Sequence, residues 1–247
     1  MKKTLITLLL APLALISCVS DSPSSMTSPT PSSEKAFRLG AQYFEQGNYA
    51  KAVEVLAPAA EHGDGDSQTL LGLCYECGKG VPRSASTAFA WYSKAADAGF
   101  MRAQYLLATL YYKGEGVAKN YEQAAMWYRK SADNGYALSQ VMLGACYALG
   151  RGVPKDYDQA FILFRKAAEQ GNDKGQCFLA FCYYKGIGVD KSVSAARSWY
   201  RKSAAQGNQL AKRELRKLST PKKSPAKPTG ESEAEDSVMG TFNTLGS

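Results

Sequence analysis

The chain has 247 residues, of which 45% are hydrophobic and 21% are charged. This composition is ordinary for a soluble globular or repeat domain, and the chain is long enough to bury a sizeable core. The formal net charge of +8 is a modest surplus, and we expect no nucleic-acid partner. The single histidine, His62, excludes most acyl-transfer triads and zinc sites, and we expect neither a metal nor a cofactor.

The N-terminus has the pattern of a secretory signal peptide. Lys2 and Lys3 precede an apolar stretch over residues 5–15. That stretch is too short to span a bilayer stably, and the order of charge and apolar residues is the one that signal peptides have. We therefore expect residues 1–17 to be removed.

The end of this stretch, Leu15-Ile16-Ser17-Cys18, resembles the lipobox of bacterial lipoproteins. The resemblance implies cleavage before Cys18 and acylation of its sulfur, which would anchor the protein to the cell envelope. Val19, in place of Asp after the cysteine, favours the outer membrane. The alternative is an ordinary signal peptide with an unrelated cysteine.

Two segments rich in Ser, Thr and Pro flank the central chain. Residues 18–33 are predicted to form a disordered tether and residues 219–247 a disordered tail, because neither buries enough apolar surface to offset the entropy of ordering. Basic residues cluster between 212 and 227. We interpret that run as solvating a helix end, with contact to an acidic surface such as anionic lipid as the alternative.

The central chain repeats with a period of 36 residues. The four copies begin at Ser67, Ala103, Ser139 and Gly175, and ten positions of the repeat, called columns here, hold the same residue in every copy. In the first copy these residues are Gln68, Leu71, Tyr75, Gly78, Gly80, Val81, Ala88, Lys94, Ala96 and Gly99.

Each copy is predicted to form two helices. In the second copy the first helix is expected from Met101 to Tyr112, with glycines ending it. The second helix carries Trp127 and Tyr128 and closes at Gly135. A column of Ser, Asn or Asp precedes each second helix and predicts its N-cap. One such pair of helices cannot bury its own apolar face, so stability must come from stacking.

The pattern of these columns resembles the Sel1-like repeat, a relative of the tetratricopeptide repeat. The resemblance covers residues 67–210, and residues 34–66 resemble a plain tetratricopeptide unit with a shorter turn. Residues 211–218 are predicted to form a polar capping helix. The implied fold class is all-α, a right-handed α-solenoid of two-helix repeats.

The remaining cysteines are predicted to be structural. Cys74, Cys146 and Cys182 share one column and are interpreted as small core residues. Cys74 and Cys77 form a C-x-x-C pair at a helix C-terminus, where the helix dipole does not activate a thiol. An opportunistic disulfide between these two is the alternative.

Three columns of the first helix vary freely between copies and share one helical face, because they are spaced i, i+4 and i+7. This variable face holds four aromatic residues and one charge, which favours binding over plain solvent exposure. First helices line the concave side of such solenoids. The predicted partner-binding residues are Thr69, Glu76, Tyr105, Thr109, Tyr112, Val141, Phe181 and Tyr184. Burial by a neighbouring helix is the alternative explanation.

The sequence therefore predicts a scaffold in the cell envelope that binds one or more envelope proteins and is not an enzyme. A module that binds glycan or peptidoglycan through the tyrosines is the alternative. A peptidoglycan or β-lactam hydrolase would need a nucleophile and a base, and the sequence offers no credible pair.

Overall fold

The structure, a computed structural model, describes residues 31–219, and these residues form eleven α-helices joined by short turns. The helices are α1 (Pro31–Glu45), α2 (Tyr49–Glu61), α3 (Gly65–Cys77), α4 (Ala85–Asp97), α5 (Met101–Lys113), α6 (Tyr121–Asp133), α7 (Ala137–Leu149), α8 (Tyr157–Glu169), α9 (Asp173–Lys185), α10 (Val193–Ala205) and α11 (Gln209–Ser219). The predicted all-α fold of two-helix repeats is confirmed.

Both ends of the helical region differ from the prediction. Helix α1 begins at Pro31, so residues 31–33, predicted as the end of the tether, are helical. Proline suits the first position of a helix, because its fixed φ is helical and no partner for an N–H is needed there. Helix α11 likewise begins before the predicted capping helix 211–218. The predicted signal peptide, the predicted lipidation site Cys18 and nearly all of the tail lie outside the described residues.

The chain divides into two compact units, with the boundary between Ala103 and Gln104, inside α5. In the first unit α1 to α4 pack in succession, around a core that includes Phe44, Leu56 and Cys74. In the second unit α6 to α11 pack in succession. Its core draws on every helix from α7 to α11, which is the continuous stacking that short helix pairs need.

The predicted N-cap column is confirmed in all four copies. Each capping side chain accepts a hydrogen bond from a backbone N–H in the first turn of the following helix, which satisfies a donor that has no partner within that helix. Ser84 accepts from the N–H of Thr87, Asn120 from that of Gln123, Asp156 from those of Asp158 and Gln159, and Ser192 from that of Ala195.

In the first, third and fourth copies, the second glycine of the loop is fixed by a close approach of two backbones. At Gly152, φ is +71° and an added Cβ would lie 1.9 Å from the carbonyl oxygen of Tyr121. Gly80 and Gly188 meet Tyr49 and Tyr157 in the same way. Only glycine combines this backbone angle with the missing side chain, which explains why the column does not vary.

Within each repeat, the first helix offers a very small residue to a buried ring of the second. An added Cβ at Gly72 would lie 2.6 Å from the ring of Tyr92, and one at Gly144 would lie 2.8 Å from the ring of Phe164. The other two copies have alanine in this small-residue column. The four rings, of Tyr92, Tyr128, Phe164 and Tyr200, are at most 1% exposed.

In three of the four copies, the lysine of the invariant column lies over the ring of the tryptophan three residues before it. The ammonium nitrogen lies 4.3 Å from the ring centroid in Lys94–Trp91 and 4.0 Å in Lys130–Trp127 and Lys202–Trp199. A cation over an aromatic face is attracted by the ring quadrupole. The third copy, with Leu163 in place of tryptophan, lacks this contact.

The invariant glutamine column links the ends of successive second helices. Gln206 donates to Oε1 of Gln176 over 2.9 Å, and Gln176 donates in turn to the carbonyl of Ala168 at 3.4 Å. Gln170 and Gln140 repeat the arrangement, with a donor–acceptor distance of 2.8 Å. Gln140 and Gln176 are buried, so these hydrogen bonds satisfy polar groups that have little access to water.

The first copy interrupts this series. Gln68 donates to the carbonyl of Ala60 at 2.9 Å, but its own Oε1 is buried and accepts no hydrogen bond. The donor column holds Ala98 here, where the third and fourth copies have Gln170 and Gln206. The backbone at these three positions is nearly the same, with φ between −73° and −81°.

We therefore expect Ala98→Gln to stabilise the protein by about 0.5–1.5 kcal/mol, because the new amide can donate to the buried Oε1 of Gln68. Ala98→Met adds a side chain of similar length without a donor and is the matched control. Thermal unfolding of both variants checks the expectation. A gain from the methionine equal to that from the glutamine would contradict it.

Candidate interaction surface

The structure buries half of the eight predicted partner-binding residues inside the repeats. Thr69, Val141 and Phe181 are 5%, 1% and 5% exposed, and Tyr112 is 8% exposed. The other four predicted residues, Glu76, Tyr105, Thr109 and Tyr184, are half-buried. The alternative explanation, burial by a neighbouring helix, therefore applies to Thr69, Tyr112, Val141 and Phe181.

Two members of this face hold the hydroxyl groups of the buried rings. Tyr92 donates to a carboxylate oxygen of Glu76 at 2.7 Å. In the next copy the hydroxyls of Thr109 and Tyr128 lie 3.1 Å apart, and Thr109 also donates to the carbonyl of Tyr105. A buried hydroxyl without a partner is costly, and in the first two copies the variable face supplies that partner.

The third copy shows the converse. Its ring is Phe164, which has no hydroxyl, and the facing columns hold Ala145 and Ala148, 3% and 1% exposed. Phe164 instead stacks on Phe178 with ring centroids 5.3 Å apart. The change from Trp-Tyr to Leu-Phe in this copy is therefore matched by apolar residues on the first helix.

A cluster of tyrosines occupies the start of the second unit. The ring of Tyr105 lies 5.9 Å from that of Tyr128 and 5.5 Å from that of Tyr136, measured between centroids. The ring of Tyr112 lies 5.1 Å from that of Tyr121. Tyr105, Tyr121 and Tyr136 are half-buried, so their edges form part of the surface while the rest of each ring is packed.

Arg151, which the sequence analysis did not predict, contacts Tyr112 and Tyr121 of this cluster. It stands between the two loop glycines of the third copy and donates a hydrogen bond to the hydroxyl of Tyr112. Its guanidinium lies 5.6 Å from the ring centroid of Tyr112 and 5.5 Å from that of Tyr121. These contacts fix the position of a charged group beside the tyrosines.

A similar cation stands in the first copy. Lys79 occupies the same loop column and lies 4.6 Å from the ring centroid of Phe44 and 4.7 Å from that of Tyr49. Both contacts join a loop cation to the tyrosine that begins an earlier second helix, thirty residues before it in the sequence. That spacing is the signal that could have revealed Arg151.

The titratable groups of the surface are poorly suited to catalysis. Burial raises the pKa of both Tyr112 and Tyr128, and for Tyr112 it outweighs the lowering effect of the hydrogen bond that Arg151 donates. Both phenols are therefore protonated at neutral pH and act as hydrogen-bonding groups.

The buried thiols are equally unreactive. Burial raises the pKa of Cys74 to about 11 and the pKa values of Cys146, Cys177 and Cys182 to about 12. The thiolate is the nucleophile, so these cysteines are inert at neutral pH. The predicted core role of Cys74, Cys146 and Cys182 is confirmed, since each is at most 1% exposed, and Cys77 is exposed with a free thiol.

The single histidine lies at the end of a helix. His62 is the exposed C-cap of α2, and its Nδ1 lies 2.6 Å from the carbonyl oxygen of Pro58. The described residues contain no group of three or more His, Cys, Asp or Glu placed to hold a metal. Within the same range, no helix combines the length and hydropathy needed to cross a membrane.

Comparison with known proteins adds the following. The family model described as Sel1 repeat matches residues 65–100, 102–136, 137–172 and 173–208. A protective antigen of uropathogenic Escherichia coli strains, with an SLR fold, is similar at 29% identity and a TM-score of 0.68, covering 86% of this chain and 46% of that chain. A Sel1 repeat protein from Oxalobacter formigenes has 34% identity and a TM-score of 0.63, covering 75% of this chain and 58% of that chain.

An immunity protein from Pseudomonas aeruginosa shares the fold, at 18% identity and a TM-score of 0.54, covering 90% of this chain and 84% of that chain. The chain spans about half the length of the first two relatives. No curated protein matches it. Because the four matched segments cover more than half of the chain and carry the 36-residue columns described above, the chain belongs to the Sel1 repeat family, whose members generally bind protein partners and are typically not catalytic.

Proposed function

We propose that this protein is a non-catalytic scaffold that is anchored to the bacterial cell envelope through Cys18 and binds a partner protein. The Sel1 repeats support the binding role, since the family generally mediates protein–protein interaction. The raised pKa values of the buried thiols and phenols support a role without acid–base or nucleophilic chemistry. The lipobox-like sequence before Cys18 supports the anchor.

The proposed binding site is centred on the half-buried rings of Tyr105 and Tyr136, whose centroids lie 5.5 Å apart. Tyr128 lies behind Tyr105, and its hydroxyl is held by Thr109. Rings that are already ordered lose little conformational freedom when a partner packs on them, and tyrosine is enriched at the sites that dominate binding energy. The proposed contact surface is therefore narrower than the predicted variable face, and it retains Tyr105 from that prediction.

We expect Tyr105→Leu with Tyr136→Leu to weaken partner binding at least tenfold, or by about 1.4 kcal/mol, because the leucines keep apolar volume but remove the aromatic surface. The full-length protein is used as bait in a crosslinking pull-down from envelope extract. The captured protein is identified by mass spectrometry, and its Kd for each purified variant is then measured.

The matched control is Met126→Ala with Val193→Ala, which alters two of the exposed apolar side chains, 38% and 41% exposed, away from the tyrosine pair. All variants must show native thermal unfolding. Equal affinity for all three baits would place the contact on another surface. If no specific protein is captured but purified cell-wall oligosaccharide binds saturably, the ligand is a glycan and the scaffold proposal fails.

The anchor makes a separate prediction. We expect the native protein in the membrane fraction of an enterobacterial host, and we expect Cys18→Ser to lose it from that fraction, since the acyl chains supply the membrane affinity. Cys77→Ser, which removes the exposed thiol of the repeats, should stay with the membrane. Membrane association of the Cys18 variant equal to that of native protein would contradict the lipid anchor.

A further inference from the structure

Helix α11 stands where a fifth repeat would place its first helix. In the 36-residue register Ala211 takes the column of Ser67, and Leu215 takes the column of Leu71. Ala211 is fully buried, and Leu215 and Leu218 pack against the core of the second unit. The helix therefore uses the same inward face as the first helices before it.

The face of α11 that corresponds to the contact with a second helix is different in character. Arg216 takes the column that holds only glycine or alanine in the four full copies, where a Cβ at Gly72 or Gly144 would already meet the ring of the second helix. Arg213 and Lys217 take two of the variable columns, and their side chains are 60% and 63% exposed. We call Arg213, Arg216 and Lys217 the basic face of α11.

This basic face borders an open groove along the helix, together with Gln209 and Leu210. Helix α11 has four basic residues and one acidic residue, Glu214. The carboxylate of Glu214 already accepts from Arg213 at 3.0 Å and from Lys217 at 2.9 Å. One carboxylate does not balance the three cations that line the groove, so the groove has the charge to attract an acidic ligand.

We propose that the acidic segment 231–236 of the same chain, Glu-Ser-Glu-Ala-Glu-Asp, binds the basic face of α11. Its four carboxylates are the only acidic residues that follow Glu214 in the sequence, and their charge is opposite to that of the three cations of the basic face.

The connection between the two permits the contact. Residues 220–230 can span up to roughly 36 Å, whereas α11 is roughly 16 Å long, so the segment reaches every part of the groove. A short tether of this kind gives an effective concentration on the order of millimolar. Individual surface ion pairs are weak and are screened by salt, so the contact depends on several charges together. The segment then competes with any other anion for this face. The inference does not depend on the proposed tyrosine site.

The test is zero-length carbodiimide crosslinking of the full-length protein, with the products mapped by mass spectrometry. The reagent joins lysine amines to carboxylates, so we expect intramolecular links from Lys212 and Lys217 to segment 231–236. Arg213→Glu with Arg216→Glu reverses two charges of the groove but leaves both reactive lysines in place. We expect this variant, or about 0.5 M salt, to reduce those links at least fivefold.

The matched control is Arg38→Glu with Arg165→Glu, which reverses two exposed arginines on α1 and α8 and should leave the links unchanged. A second variant, with Glu231, Glu233 and Glu235 changed to Gln and Asp236 to Asn, should speed amide exchange in α11 while the melting temperature stays native. The proposal is overturned if the links persist in the variant with glutamates at positions 213 and 216. It is also overturned if the segment links only to Lys222, Lys223 and Lys227, or if the links occur only between two molecules.

Discussion

The rest of each repeat depends on the contact between a residue with almost no side chain on the first helix and a buried ring on the second. Where Gly72 faces Tyr92 or Gly144 faces Phe164, there is no space for another carbon atom. That contact sets how closely the two helices approach. It thereby determines which residues of the first helix pack against the buried ring. It also accounts for α11, where Arg216 takes the same column and the corresponding face is basic and open.

The sequence predicted those features of the fold that local chemistry determines. The N-cap column from Ser84 to Ser192 needs only a side-chain acceptor beside a free N–H, and it forms in all four copies. The glycine loops and the core cysteines follow equally from residue type and spacing. The start of α1 at Pro31 was missed, because a stretch of Ser, Thr and Pro was taken as disordered throughout although proline also suits the first turn of a helix.

The candidate site was predicted less well, for a physical reason. Variation between copies was interpreted as freedom from packing, but Glu76, Thr109 and Ala145 vary because each is matched to the ring that it faces. A single column of residues cannot show a match that depends on a second column. The positions of Arg151 and the unpaired Oε1 of Gln68 also depend on pairs thirty residues apart, so they emerge only when two columns are compared.

A double-mutant cycle at the third copy tests whether the variable face is matched to the ring of its own repeat. Phe164→Tyr introduces a buried hydroxyl opposite two alanines, and Ala145→Thr restores the acceptor that Thr109 provides for Tyr128. The account predicts that the tyrosine alone lowers the free energy of unfolding by about 1–3 kcal/mol and that the added threonine recovers a large part of the loss. A tyrosine variant as stable as the native protein, or a loss that the threonine does not change, would contradict it.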